Sequence, residues 1–423
     1  MLKNRKETRS KKEGILRMND NITWAPLISL IGGAPLGAEA AFGVPPVGIY
    51  SYDGFQSNDS HYVNYMNNIK GYGLDYVTLN ESTKSVPKID VINGTPPCAA
   101  LSQLNTGKTE ESKGAKCAKN EWMYKVFEDA IDLFDAKVVL VENAPALFTN
   151  KGAEVAKNMF DICHSRGYSL TLYKTSTKYH GIPQARDRTF AIGWKSEVAP
   201  IMGWYKRNRK IFSEHLKEVS DDMLHQDMII NEKLDKEPYY RFIQHKTNRN
   251  ARDVISESGN ITAFNYVNKS GQLQEANAWF KEVGDELGIK YSEHALKKFA
   301  MNKGIWDGST HVFKEHMNAV IGRNMSDTIH PEYDRSLTVR EALHMMGFPH
   351  DFELLGGRGK INHIAQNVPL PTSRDMHIEI AKFLRGELPM SDTNYLRQNN
   401  HKEETWSDSY GTKNAASLEG FLS

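Results

Sequence analysis

An alternation of short apolar runs with helical periods between Pro26 and Trp194 constrains this chain more than any other feature. The runs cover residues 27–31, 47–52, 74–79, 89–92, 138–141, 170–174 and 189–192. Each is too short for a buried helix and rich in β-branched or aromatic residues, so each predicts a strand. Between them, Met123, Val126, Phe127, Ala130, Ile131 and Phe134 form one helical stripe, and residues 153–163 behave similarly. Strands that alternate with helices predict the α/β class: a Rossmann-like, mostly parallel sheet, with ligands at the carboxyl ends of its strands.

Beyond Lys195 the alternation stops. Residues 195–325 are polar, aromatic and mixed, with helical pieces such as 273–287, and predict a smaller inserted domain. Order returns near Arg335. Thr338 and Glu341 stand at the spacing of a capping box, in which each satisfies the other's orphan backbone donor. The helix they open should stop near Gly347-Phe348-Pro349, and a last helix is expected over 373–384. The organisation expected is a disordered basic leader (1–22), a first catalytic segment (23–194), the insertion (195–325), a return to the catalytic domain (326–388) and a loose polar tail (389–423).

The chain has 423 residues, 39% hydrophobic and 25% charged, which is the balance of an ordinary soluble protein. No run of about 18 apolar residues is present, so no membrane span is expected. Cys98, Cys117 and Cys163 are odd in number and lack CxxC spacing. Neither a disulfide framework nor a metal site follows, and a reducing cytoplasm fits. A net charge of +1 leaves nucleic acid open, but local charge is more telling. Lys206, Arg207 and Arg209 follow Trp204-Tyr205, and Tyr239-Tyr240-Arg241 leads into His245, Lys246, Arg249 and Arg252. Basic residues interleaved with aromatics suit phosphate contact and base stacking; solvated helix faces would give the same composition.

Three segments at strand edges carry chemistry. Cys98 follows the fourth run behind Pro96-Pro97, Glu142-Asn143 ends the fifth, and Gln184-Ala185-Arg186-Asp187-Arg188 precedes the seventh. A thiol, a carboxylate and an arginine pair supply a nucleophile, an acid and an oxygen clamp, the set needed to add a nucleophile to a pyrimidine ring. The Gly32-Gly33 turn lies between the first strand and first helix, where a cofactor can approach backbone amides. Asp53 ends the second strand, placed to accept ribose hydroxyls.

Taken in order, these pieces resemble the cytosine carbon-5 DNA methyltransferase family, over roughly residues 26 to 385. Leu30-Ile31-Gly32-Gly33-Ala34-Pro35-Leu36 is similar to that family's first cofactor loop, Pro97-Cys98 to its nucleophile motif and Glu142-Asn143 to its acid motif. Residues 184–188 fit QxRxR in full, and residues 335–341 with Gly347-Phe348-Pro349 are close to its ninth motif. The insertion falls where the family keeps its target-recognition domain. There are departures. The usual FxGxGG has lost two glycines, Ala99 stands where glutamine commonly follows the nucleophile, and the last motif reads His363-Ile364-Ala365-Gln366-Asn367-Val368.

The resemblance implies methyl transfer from S-adenosylmethionine to carbon 5 of cytosine in double-stranded DNA, with the target base flipped out. It implies cofactor contacts from Leu30, Ile31, Gly32, Gly33, Asp53, Phe55, Pro97 and Asn367, and DNA contacts from Ser102 and Gln184 beside the basic residues Lys206, Arg207, Arg209 and Arg241. Cys98 would be the nucleophile, Glu142 the acid at ring nitrogen 3, and Arg186 or Arg188 the clamp. The expectation is a monomeric enzyme of bacterial or phage type. The eroded glycine loop motivates two alternatives: a retired DNA-binding protein of the same fold, or a member acting on RNA or transferring another group.

Overall fold

A computed structural model gives the fold of residues 22–97, 101, 114, 116–219, 229–231, 237–284, 286, 293–301, 303–304 and 311–407. The expected leader, Cys98, Ser102 and the chain after 407 lie outside the described residues. Six apolar runs fold as strands close to where the sequence puts them: β2 (Ile49–Tyr52), β3 (Tyr76–Leu79), β4 (Val91–Gly94), β5 (Val138–Asn143), β6 (Ser169–Ser176) and, after the two-residue β7 (Gln184–Ala185), β8 (Asp187–Trp194). The first is displaced. β1 is Trp24–Leu27, and the apolar residues after it form a turn, because Ile28 (φ 64) and Leu30 (φ 50) take left-handed conformations that end a strand.

The helices follow the expected plan. α1 (Gly33–Phe42) and α2 (Gln56–Asn64) follow the first two strands, and α3 (Glu121–Glu128) and α4 (Ala153–His164) flank β5. Strand periodicity sorts the core. Val138 and Leu140 join a cluster with Ala34, Ala38 and Phe42 of α1, while Val139 and Val141 point the other way to Met123, Phe127, Met159 and Phe160. The insertion contains α5 (Phe212–Leu216), α6 (Pro238–Thr247), α7 (Ala251–Ser258), α8 (Ala263–Lys269), α9 (Leu273–Val283) and α10 (Glu293–Ala300). Beyond α10 come β9 (Met317–Asn318), α11 (Gly322–Asp327), α12 (Val339–His344), α13 (Ile361–Gln366) and α14 (Leu370–Leu384). The capping box of Thr338 and Glu341 is present at the start of α12.

Two boundaries need correction. The tail is not loose from residue 389: β10 (Tyr395–Asn399) and β11 (Glu404–Ser407) extend the main sheet, which among the described residues runs β11-β10-β6-β8-β5-β4-β1-β2-β3. Tyr395 and Leu396 are buried, and the polar Gln398 is buried with them because it exchanges hydrogen bonds with the backbone of Met202. Nor does the insertion detach at residue 195. Ala199 donates to Thr393 O, Tyr173 donates to Gly203 O, and Asn400 Oδ1 accepts from Tyr205 N. The unit with a core of its own starts at α6, around Tyr239, Phe242, Ile243, Ile255 and Phe280.

Ending the chain after residue 394 removes β10 and the burial of Tyr395 and Leu396. The expected loss is about 3–6 kcal/mol of unfolding free energy, read by urea titration. An unchanged midpoint would make these strands an ornament of the sheet.

Candidate active site

β4 and β5 run parallel to β1 and β2, so their carboxyl ends share one edge. β8 runs antiparallel to β5, which brings its amino end to that edge: Asn143 pairs with Thr189, and Arg188 comes next. Glu142 is buried there, with Arg188 Nε 2.6 Å from its Oε1. Burial pushes the Glu142 carboxyl above its ordinary pKa, and the nearby charges of Arg188 and Arg186 pull it back only in part. The segment leading to the expected nucleophile leaves β4 beside β5. Pro97 is half-buried, and Cys98 is the next residue along. Thr95, in that segment, is buried and its hydroxyl has no hydrogen-bond partner among the described residues.

The two arginines of QxRxR do different things. Arg186 is buried and gives its terminal nitrogens to three backbone carbonyls, those of Val320, Ala365 and Asn367, each at 2.8 Å. Gln184 is likewise engaged inside the protein, donating to Met345 O and accepting from Val320 N.

The β1–α1 turn is gripped from two sides. A Cβ on Gly33 would lie 1.9 Å from Val368 O, and Gly33 N donates to Asn367 Oδ1 at 3.2 Å. Gly32 (φ 107) has its missing Cβ position 2.5 Å from the Tyr62 ring. Leu30 and Ile31 are buried in this turn. Asn367 is fully buried, and its Nδ2 has no hydrogen-bond partner among the described residues. Asp53 is exposed at the end of β2, bonded to Gln56, and Phe55 packs edge-on against Trp122. The turn therefore offers a buried amide with no partner among the described residues and, across the edge, an exposed carboxylate with one oxygen on Gln56. These groups fit the amino acid and ribose ends of S-adenosylmethionine. Sequence reasoning missed Asp59, Tyr62, Thr95 and Trp122; the one available signal was a carboxylate three residues before Tyr62, on the same face of α2.

The basic candidates are spread over two units. Lys206 and Arg209 are exposed, on a run that passes Gly181 just before QxRxR. Arg207 forms a two-pronged pair with Asp375 at 2.7 Å, which ties the run to α14. Arg241 is half-buried on α6. The aromatics beside it do not stack on bases: Tyr239 and Tyr240 are the core of the helical unit, because the helical period turns them inward with Phe242 and Ile243. Among the described residues, His215, Glu218 and His344 approach as a metal site would, yet His344 Nε2 is already held by His215 O and Glu218, and Glu218 also takes Lys210.

A sheet ordered β3-β2-β1-β4-β5 with β8 inserted antiparallel before β6 is that of a class I methyltransferase. The sequence model of C-5 cytosine-specific DNA methylase matches residues 22–373, and the chain belongs to that family. It is 24% identical over 302 residues to the type II methyltransferase M.Bpa9945I of Bacillus paralicheniformis, covering 64% of this chain and 65% of that one. It is 24% identical over 345 residues to DNA (cytosine-5)-methyltransferase 2 of Arabidopsis thaliana, covering 69% of this chain and 22% of that protein. The fold is similar to that of the Entamoeba histolytica methyltransferase EhMeth, with a TM-score of 0.51 and 13% identity over 86% of this chain and 99% of that one. No helix among the described residues is long and apolar enough to cross a membrane.

Arg186→Lys retains the charge but loses the fork, leaving at least one buried carbonyl without a donor. A loss of about 1–3 kcal/mol in urea unfolding is expected, whereas an unaltered midpoint would show that the three contacts do not bear on stability.

Proposed function

We propose that this protein methylates carbon 5 of cytosine in double-stranded DNA, with Cys98 as covalent nucleophile and S-adenosylmethionine as donor. The observation that carries this reading is Glu142: a buried carboxyl, biased toward its protonated form, paired with Arg188 on the edge where the Cys98 segment begins. Cytosine carbon 5 is a poor nucleophile until a thiolate adds to carbon 6. As the Cys98 sulfur–carbon bond forms, Glu142 gives its proton to ring nitrogen 3, and electron density passes to carbon 5. When bound, S-adenosylmethionine would supply the electrophilic methyl and leave as S-adenosylhomocysteine; Asn367, Asp53 and the turn from Leu30 to Gly33 would hold it, with Phe55 and Pro97. A base or water then takes the carbon-5 proton, the Cys98 bond breaks, and ring nitrogen 3 returns its proton to Glu142 as the aromatic ring is restored.

In this reading Arg188 is the arginine at the base, steadying Glu142 and the carbonyl at carbon 2. Arg186 and Gln184 are positioning residues. A flipped base requires an opened duplex, and Lys206, Arg209 and Arg241 supply phosphate contacts from the body and from the helical unit. That unit is read as the target-recognition domain, and Ser102 as a DNA contact.

Nucleoside mass spectrometry of mixed-sequence duplex DNA, incubated with full-length protein and methyl-labelled S-adenosylmethionine, tests the reading. Labelled 5-methylcytosine is expected, lost by several orders of magnitude in Cys98→Ser. No labelled base despite DNA binding would favour a retired enzyme or another transferred group; near-normal turnover in Cys98→Ser would remove the covalent step.

Glu142→Gln is expected to lower turnover by about 10²- to 10⁴-fold with little change in DNA affinity. The pH profile gives the sign. A raised pKa keeps Glu142 protonated to higher pH than an ordinary glutamate, so wild-type turnover falls as pH rises through that value. Glu142→Gln should lack this alkaline limb, and an identical limb in both proteins would assign it to another group.

A further inference from the structure

The structure assigns Asp59 a task beyond folding: we infer that this carboxylate is the positioning residue that holds Leu30 in a conformation otherwise suited to glycine, and so shapes the cofactor turn. The inference rests on the reading of the β1–α1 turn as the S-adenosylmethionine site.

The turn is unusual in its backbone. Ile28, Leu30 and Gly32 have φ values of 64, 50 and 107, so alternate residues are left-handed. Glycine adopts such angles freely, but a leucine or a β-branched isoleucine does so only when its surroundings hold it there. Left-handed geometry is thus kept at positions 28 and 30 without a glycine at either.

Asp59 provides the hold. It is fully buried on α2, and its Oδ1 accepts from Leu30 N at 2.8 Å and from Ser29 Oγ at 3.0 Å. Its other oxygen accepts from Ser51 Oγ of β2 at 2.5 Å and from Tyr76 OH of β3 at 2.9 Å. The carboxylate thus fastens the turn to two neighbouring strands, and four donors converge on one buried anion. One helical turn along α2, Tyr62 closes against the open face of Gly32. Asparagine in place of Asp59 would turn one acceptor into a donor facing donors, and no other described side chain bonds the Leu30 amide.

The test is a double-mutant cycle on the full chain with Asp59→Asn, Leu30→Gly and both together. S-adenosylhomocysteine binding is measured by calorimetry, and hydrogen exchange of the peptide covering residues 28–36 is measured without ligand. Asp59→Asn should speed exchange in that peptide and weaken binding by about 10- to 100-fold, the effect of one lost hydrogen bond to a charged group. With glycine at position 30 the same substitution should cost less than about threefold, since the backbone no longer needs the hold. Equal losses in both backgrounds would overturn the inference and leave Asp59 a general anchor of the fold, as would no loss at all. Should wild-type protein fail to bind S-adenosylhomocysteine, the cofactor reading falls, and the exchange cycle still decides the role of Asp59. If Asp59→Asn does not fold, Tyr76→Phe removes a single donor to the same carboxylate. It should act in the same direction by roughly three- to tenfold, again only with leucine at 30.

Discussion

A single buried cation joins parts of the chain that are far apart in sequence. The Arg186 guanidinium is taken out of water and must be met by oxygens wherever it points. It is met by Val320, where the chain comes back from the helical unit, and by Ala365 and Asn367 before α14. Asn367 then accepts from Gly33 at the start of α1. The chain of contacts runs from the insertion, through QxRxR, to the β1–α1 turn. Slippage of any of these segments would strand a charge or a carbonyl in a medium of low dielectric, so their mutual placement is tightly specified.

Two carboxylates at the same end of the sheet show how surroundings set a role. Burial raises the pKa of both Glu142 and Asp59. Asp59 is surrounded by four fixed donors, from Ser51, Tyr76, Ser29 and Leu30, which pull back against that burial and hold the carboxylate in one orientation. Glu142 is buried at the strand edge with a single charged neighbour, Arg188, against its Oε1. The first arrangement suits a fixed support, the second a group that passes a proton.

Much of this was legible from residue patterns. The short apolar run at 138–141 predicted a strand, which is β5, and Thr338 with Glu341 announced the start of α12. The candidate segments at Glu142 and at residues 184–188 could be singled out because strand ends are where an α/β sheet exposes its residues. What the pattern concealed was non-local. Residues 395–399 look like a solvated tail because Arg397, Gln398 and Asn399 are polar; Gln398 is buried only because Met202, far away in sequence, pairs with it. Tyr239 and Tyr240 lie beside basic residues, which suggested stacking on bases, yet their spacing with Phe242 and Ile243 equally described a helix core. Arg186, between β7 and β8, and Arg188, on β8, are two residues apart, and only the packing around them separates a backbone clamp from a partner of Glu142.

β6 pairs with β8 on one side and with β10 on the other. The first partner leaves the ribosome almost at once, but the second is made roughly 220 residues later, on the order of ten to forty-five seconds at ordinary rates of synthesis. Throughout that interval β6 presents an open row of backbone donors and acceptors, which invites pairing with another nascent chain. β10 and β11 thus act as a seal applied late to β6, and slowing synthesis across the helical unit would lengthen the period in which polysome neighbours can become entangled.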